Sequence, residues 1–350
     1  MVRREGIVWA AIAGMLLLGT PLCAKVESKR VRYGIEKGII HYKIDASGMI
    51  DKDLNWTLRG NATRCFHDYG ASLTYRKHID EYLNGSFRYH AKADFMTAQE
   101  GETSYVADYR TKRIIKQHLP LKEEMPPSMH YVGQQMVGNV VCDLWEGPVE
   151  KLCLYKGVPI LKDYQALGFH YREEALDATF NPTRKTLKEC EKMPEFPLIQ
   201  TFALYRRANA QIPQQDDRMI GEKILEALEK VTKDPSSANK DKMFHKELQQ
   251  EIFHMQQRFL ENLLKTLEKS RMCFQKAENT IDANVCLSDL HALEVKYLGD
   301  DKRRRVIVNW QEERDGVSEH FEKSIASLRA KMPCIKRAKQ LHDINMCLQQ

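Results

Sequence analysis

The sequence lacks the short motifs on which many enzyme classes depend. It has no Gly-x-Ser-x-Gly elbow, no phosphate-binding loop and no dinucleotide-binding fingerprint. Its twelve histidines include no His-Glu-x-x-His pair and no other spacing typical of metal ligands. Cys-x-x-Cys and Cys-x-x-Cys-His are absent too, which argues against thiol redox chemistry and haem attachment. We therefore expect a protein that is not an enzyme and that holds no cofactor or metal.

A large excess of one charge and long apolar runs are also missing. Lys and Arg number 54 against 48 Asp and Glu, so the net charge of +6 is spread over many residues of both signs. That balance argues against nucleic acid as a partner. After residue 24, charged residues interrupt every apolar run before it reaches the roughly 20 residues of a membrane helix. We expect no transmembrane segment in the mature chain.

The first 24 residues have the order of a secretory signal peptide. Arg3 and Arg4 precede an uncharged apolar run over 6–19, and the leader ends on the small residue Ala24. The apolar run is short for a membrane anchor, so cleavage after Ala24 is the prediction. Cleavage removes Cys23 and leaves eight cysteines, an even number, for a chain predicted to reside in the periplasm. Disulfides persist in that compartment, so we expect these cysteines to be paired.

Residues 25–195 are predicted to form an antiparallel β domain. Residues 39–44 and 86–91 alternate between polar and apolar side chains, with aromatic and β-branched residues among them. Gly and Asn stand at the expected reversals, as in Asn84-Gly85, because they accept the backbone angles of tight turns. The pattern predicts a meander of half-buried strands.

Residues 196–239 are predicted to be a linker with one short helix, and residues 240–350 a helical domain. The stretch 211–218 is polar and contains Pro213, which is typical of a linker. From about residue 240, apolar residues recur at helical spacings of three and four. This stripe comprises Phe244, Leu248, Ile252, Met255, Phe259, Leu260, Leu263 and Leu267.

A second long helix is predicted over 303–338. Each helix would be about 50 Å long, which is too long for a small domain to cover. We expect the two helices to pair with each other and to offer a surface to an envelope protein or to another copy of the chain. We also expect the sheet and the helices to have separate cores across the linker.

The two long helices end in matching sequences. The pattern Cys-x3-Ala-x4-Asp-x-Asn-x-Cys-Leu starts at Cys273 and recurs, with an offset of 61, at Cys334. Each copy predicts a helical hairpin in which the Asp caps a short second helix. A disulfide within each copy, Cys273 to Cys286 and Cys334 to Cys347, would stabilise the hairpin by about 3 kcal/mol. Zinc ligation is the weaker interpretation, since zinc knuckles use much shorter cysteine spacings.

The other four cysteines belong to the sheet. Cys142 and Cys153 flank Gly147-Pro148 symmetrically, so a hairpin that turns there would place them directly opposite each other. The alternative is two buried free thiols on one face. Cys65 and Cys190 remain and would pair by elimination, although the sequence does not fix that connection.

Part of this region resembles a known family. The segments 138–145, 151–159, 174–175 and 180–181 resemble the strand series of proteins related to the LolA/LolB lipoprotein carriers. The resemblance covers about residues 33–181. It implies a strongly curved antiparallel sheet, a half-barrel, around an apolar cavity that holds acyl chains. It places no specific ligand-binding residue on this chain, and it does not include the helical repeat.

These observations predict an α+β protein with a curved sheet followed by an all-α part that contains two disulfide-linked hairpins. We expect a non-enzymatic periplasmic protein that holds an apolar or lipid-like ligand in the sheet and docks a partner through its helices. The alternative is a structural or assembly module of the cell envelope that acts through the long helices. Residues 53–57 also match a bacterial N-glycosylation acceptor at Asn55, a short match that arises often by chance.

Overall fold

A computed structural model describes residues 31–101, 103–109, 112–118, 129–200, 220–233, 241–298 and 306–349. The predicted signal peptide with Ala24, and the predicted linker at 211–218, lie outside these ranges. Within them the α+β prediction is confirmed, because a curved antiparallel sheet precedes a set of helices. No helix among the described residues is both long and apolar enough to cross a membrane.

The described strands form one sheet. They are β1 (Gly38–Asp51), β2 (Leu54–His67), β3 (Ser72–Gly85), β4 (Tyr89–Glu100), β5 (Thr103–Asp108), β6 (Arg113–His118), β7 (His130–Val137), β8 (Val140–Glu146), β9 (Glu150–Tyr155), β10 (Val158–Ala166), β11 (Phe169–Phe180) and β12 (Leu198–Gln200). Their spatial order is β12-β6-β5-β4-β3-β2-β1-β11-β10-β9-β8-β7. The pairings are antiparallel except that of β12 with β6, which is parallel. The sheet therefore consists of two meanders, one from β1 to β6 and one from β7 to β11, which the pairing of β1 with β11 joins.

Alternate side chains are buried on one face of the sheet, which we call the inner face. On β2, Leu54, Trp56 and Leu58 are buried, whereas Asn55 and Arg59 on the opposite face are exposed. Residues that pair across antiparallel strands share a face, so the register extends this assignment to β1, β3 and β11. The inner-face residues discussed below are Tyr42, Ile44, Trp56, Leu58, Arg64, Tyr75, Lys77, Ile79, Glu81, Phe169, Tyr171 and Glu173.

A short segment before β1 crosses one end of the sheet. The amide of Tyr33 donates to the carbonyl oxygen of Tyr69 at 2.9 Å, and the amide of Gly34 donates to that of Lys156 at 2.7 Å. Tyr69 lies between β2 and β3, and Lys156 lies between β9 and β10, so the segment spans the ends of β1 and β11. The ring of Tyr33 is buried and meets Phe66 edge to face, 4.7 Å between centroids. This crossing covers one end of the inner face.

The helices are α1 (Arg184–Glu191), α2 (Ile220–Lys233), α3 (Asp241–Phe274), α4 (Thr280–Cys286), α5 (Ser288–Leu298), α6 (Trp310–Arg337) and α7 (Leu341–Gln349). The long helices α3 and α6 pack against each other, as expected. The buried part of the predicted α3 stripe comprises Leu248, Ile252, Leu260 and Leu267. Helix α6 begins later than the predicted residue 303. The Glu313 carboxylate accepts the amides of Val308 and Asn309 at 2.9 and 3.0 Å and so closes its first turn.

The expectation of two separate cores is wrong. Most buried apolar residues of the sheet and of the helices form one continuous cluster. Phe169 of β11 meets Phe244 of α3 at 6.0 Å between ring centroids, and Tyr89 of β4 meets Tyr297 of α5 at 6.5 Å. The physical reason is that the inner face presents more apolar surface than the crossing segment covers, and the helices bury the remainder.

The prediction of two disulfide-linked helical hairpins is confirmed. Cys273 and Cys286 lie at disulfide distance with 5.5 Å between their Cα atoms, and Cys334 and Cys347 with 5.7 Å. The predicted cap was wrong by three positions. Asn279 is the N-cap of α4, and its side chain accepts the amide of Asp282 at 3.0 Å. The repeated Asp therefore lies in the first turn of the helix. Asp282 accepts hydrogen bonds from the Glu278 amide and the Asn279 side chain, which precede the helix, as in a capping box.

The cysteines of the sheet also lie at disulfide distance, with Cα separations of 5.4 Å for Cys142 and Cys153 and 6.2 Å for Cys65 and Cys190. Cys142 and Cys153 were predicted to lie directly opposite each other. That prediction is wrong, because the register pairs Cys153 with Leu144. The reversal is centred one residue later than Gly147-Pro148, between Pro148 and Val149, so the two cysteines are diagonal neighbours. The bridge from Cys65 to Cys190 fastens α1 to the outside of the sheet, where a small cluster contains Leu187.

Candidate ligand-binding face of the sheet

Helix α2 lies on the inner face of the sheet. Its buried residues Ile220, Ile224, Leu228 and Val231 recur at spacings of four, four and three, which places them on one side of the helix. A helix of 14 residues is marginal alone in water, so the stability of α2 comes from the surface that these side chains share with the sheet. The inner face and its covering helix form the candidate site.

The first turn of α2 is held by a buried carboxylate of β3. Glu81 is fully buried, and its Oε1 accepts hydrogen bonds from Trp56 Nε1 at 2.6 Å and from the amide of Gly221. Burial raises the pKa of Glu81 to about 7. The carboxylate lies at the positive end of the helix dipole, while its Oε2 has no hydrogen-bond partner among the described residues.

Space is tight where α2 meets the sheet at Gly221. A Cβ atom on Gly221 would lie 3.0 Å from Leu58 Cδ1 and 3.1 Å from Trp56 Cζ2, closer than ordinary van der Waals contact. The same atom would lie 3.2 Å from Glu81 Oε1. A side chain at this position would therefore push the helix away from the inner face.

Two cations are buried further along the inner face. Arg64 and Lys77 are 5 % and 6 % exposed, which is unusual for these residue types unless they have partners. The Lys77 ammonium donates to the Tyr171 hydroxyl at 3.3 Å and lies 5.2 Å from the centre of that ring. The Arg64 guanidinium lies 5.7 and 5.5 Å from the ring centres of Tyr42 and Tyr75. At least one aromatic ring thus lies close to each positive charge.

The carboxylate of Glu173 shares this part of the face. Glu173 is buried, and its Oε2 accepts a hydrogen bond from the Tyr171 hydroxyl at 2.8 Å. Burial and then the charge of Glu173 raise the pKa values of Tyr75 and Tyr171. Burial lowers the pKa of Lys77, and the attraction of Glu173 opposes that shift. The neutral phenols and the ions therefore form one buried polar network.

Apolar side chains lie around this network. Trp56 and Phe169 meet edge to face at 5.8 Å beside the start of α2. Ile44 and Ile79 occupy the next inner-face positions toward the buried cations. The inner face thus has an apolar end, a polar middle and an aromatic far end beneath the crossing segment.

Comparisons with known proteins add little to this geometry. No family model matches this chain. No curated protein matches it either. A solved structure that matches is an uncharacterized conserved protein from Thermus thermophilus, at 8 % identity and a TM-score of 0.27. The alignment covers 46 % of this chain and 90 % of that one, and at this score it carries no argument about function.

The eight cysteines that the sequence analysis singled out are all paired at disulfide distance and act as cross-links. Sequence reasoning missed the buried ions instead. Lys77 and Glu81 fall in the same alternation as Ile79 and Leu83 of β3, and a charge at such a position was the available signal. Among the described residues, no group of His, Cys, Asp and Glu is arranged to hold a metal ion.

The helical part exposes a small apolar group near the first hairpin. Ile281 and Val285 of α4 are 77 % and 63 % exposed, and Val306 and Val308 are 60 % and 82 % exposed. Asn284 holds the two pairs together, because its side chain donates to the Ile307 carbonyl at 2.8 Å and accepts the Ile307 amide at 3.0 Å. We call these four residues the hairpin patch.

Proposed function

We propose that this chain is a non-enzymatic binding protein of the bacterial periplasm that holds an apolar or lipid-like ligand against the inner face of its sheet. The main observation in its favour is that α2 covers this face, and that α2 is a short helix whose stability depends on its contact with the sheet. An acyl chain offers the same kind of surface as Ile220, Ile224 and Leu228, so it would take the place of the helix.

Two further observations support the proposal. The curved antiparallel sheet has the shape that the resemblance to LolA/LolB-type half-barrels implies, and such proteins hold acyl chains. Four cysteine pairs at disulfide distance fit an oxidising compartment, which supports export by the N-terminal leader with cleavage after Ala24.

Native mass spectrometry of protein purified from the cell envelope tests this proposal. We expect a mature mass that begins after Ala24, lacks eight cysteine hydrogens and carries one bound lipid. Purified and delipidated protein should also take up a fluorescent fatty acid. A Gly221→Val variant should bind it about tenfold more tightly, because the added methyl groups weaken the packing of α2 on the sheet by roughly 1 to 3 kcal/mol.

The matched control is Gly316→Val in α6, where a Cβ atom would meet nothing within 4 Å. This variant should bind like the wild type. Absence of co-purified lipid, together with no uptake by the wild type or the Gly221→Val variant, would remove the ligand-binding function.

The hairpin patch favours a second role, self-association of the chain as an assembly module. Its four aliphatic side chains are exposed and do not contribute to the core of the described part of the chain. We expect the wild type to be larger than a monomer by light scattering and an Ile281→Glu, Val308→Glu variant to be a monomer. A wild type that stays monomeric at high concentration would argue against this role.

A further inference from the structure

Glu81 lies where the inner face meets the first turn of α2. Its partners in the strand register are Leu58 on β2 and Ala91 on β4, neither of which has a side-chain donor. Its Oε1 accepts from Trp56 on the sheet and from the amide of Gly221 on the helix. Helix α2 thus supplies one donor and covers the end of the face at which Glu81 is fully buried.

The charged and titratable groups around Glu81 come from the sheet and from two helices. On the helices, Glu222 follows Gly221 directly, and Lys223 forms an ion pair with Glu251 of α3. Among these groups, Glu222 has the largest charge effect on Glu81, and its repulsion raises the pKa. The groups that the sheet places on the inner face are Tyr75 and Lys77 on β3, Arg64 on β2, Tyr89 on β4, Tyr171 and Glu173 on β11, Lys162 on β10 and Glu150 on β9.

The neutral form of Glu81 fits this position better than the ionised form. Its Oε2 has no hydrogen-bond partner among the described residues, and an ionised carboxylate buried in this way is costly. The donors to Oε1 and the helix dipole favour the charge, but burial outweighs them and raises the pKa to about 7. Without α2, water would reach the carboxylate and its pKa would return toward the ordinary value of 4.5. The packed helix therefore holds a proton that the separated helix releases.

We infer that Glu81 makes the packing of α2 pH-dependent, so that the helix is held on the sheet in acid and opens, while the sheet stays folded, as the pH rises through neutrality. The stabilisation by the bound proton is present in full below about pH 4.5 and is lost as the pH rises through 7. Opening can be local because α2 is a short helix that meets the sheet through side chains and is not one of its strands. It requires no ligand, so it is independent of the proposed ligand-binding function.

Hydrogen exchange of the α2 amides measures this opening. Delipidated full-length mature protein is labelled at pH values from 5.5 to 8.5 and constant ionic strength, and each rate is compared with that of an unstructured peptide to give a protection factor. We expect the protection factor over residues 224–231 to fall about 30-fold across this range, most of it below pH 7.5. At every pH it should be at least about tenfold lower than that of the buried amides of β1, which exchange only when the whole fold opens.

Two substitutions separate Glu81 from other titrating groups. Glu81→Gln keeps an acceptor for Trp56 and Gly221 but does not ionise, so the protection factor of α2 should change by less than threefold over the same range. Glu222→Gln removes the charge that raises the pKa of Glu81, and the loss of protection should then occur at a lower pH. The matched control is Glu226→Gln on the exposed side of α2, which should keep the wild-type profile.

Three results would overturn the inference. A wild-type protection factor of α2 that does not change with pH would show that ionisation of Glu81 does not affect the packing of the helix. A 30-fold change that survives in Glu81→Gln would assign the effect to another group. Equal protection of α2 and β1 at every pH would show that the helix leaves the sheet only when the whole fold opens.

Discussion

Replacing Trp56 with alanine is expected to reduce the free energy of unfolding by about 3 to 5 kcal/mol, the usual cost of deleting a large buried aromatic side chain. Trp56 is fully buried, meets Phe169 edge to face and donates its indole hydrogen to Glu81. The substitution leaves a cavity at the start of α2 and removes one of the donors to a buried carboxylate.

Because the sheet and helices share one core, the strand and helix signals in the circular dichroism of the Trp56→Ala variant should be lost at the same urea concentration. The control is Trp145→Ala, since Trp145 is only half-buried and meets the exposed Tyr131 edge to face. That change should cost much less. A helical transition that stays at the wild-type urea concentration while the sheet unfolds early would contradict the single core.

The Glu81→Gln variant is expected to lose a pH dependence of stability that the wild type shows between pH 4.5 and pH 8. The pKa of Glu81 rises from its ordinary value of 4.5 to about 7 in the folded chain, so the folded state holds the proton more tightly than the unfolded state. This contribution is present in full below about pH 4.5 and is lost as the pH rises through 7. A shift of this size corresponds to about 3 kcal/mol.

Urea unfolding of both proteins at a series of pH values and constant ionic strength measures this effect. The stability of the variant relative to the wild type should increase with pH, because glutamine keeps a carbonyl acceptor and never ionises. Glu100→Gln, at the exposed end of β4, is the matched control and should leave the wild-type slope unchanged. Parallel pH profiles for wild type and Glu81→Gln would show that Glu81 ionises in the fold as it does in water.

Local pattern determined much of this fold in advance. The hairpins that join Cys273 to Cys286 and Cys334 to Cys347 were predictable because each depends on residues within one repeat. β1 was predictable from the alternation over 39–44, whereas the strand predicted over 86–91 begins only at Tyr89, as β4. Helices α2 and α3 were predictable from apolar residues at helical spacing. In each case the physical information lies within a few turns or one strand of the chain.

The tertiary structure alone decided what covers each face and how the strands are aligned. Alternation places Lys77 and Glu81 on the side of β3 that also carries Ile79, but it does not say that this side is sealed. Helix α2 shields this side from solvent, and its Gly221, which contacts Glu81, lies 140 residues after Glu81 in the chain.

The same holds for Cys142 and Cys153, whose diagonal placement follows from a turn that is centred one residue later than the symmetric one. The sequence by itself therefore determined the elements, their faces and their local cross-links. Burial, the raised pKa of Glu81 and the single core arose from long-range packing, because the dielectric surroundings of a charge depend on every element that meets it.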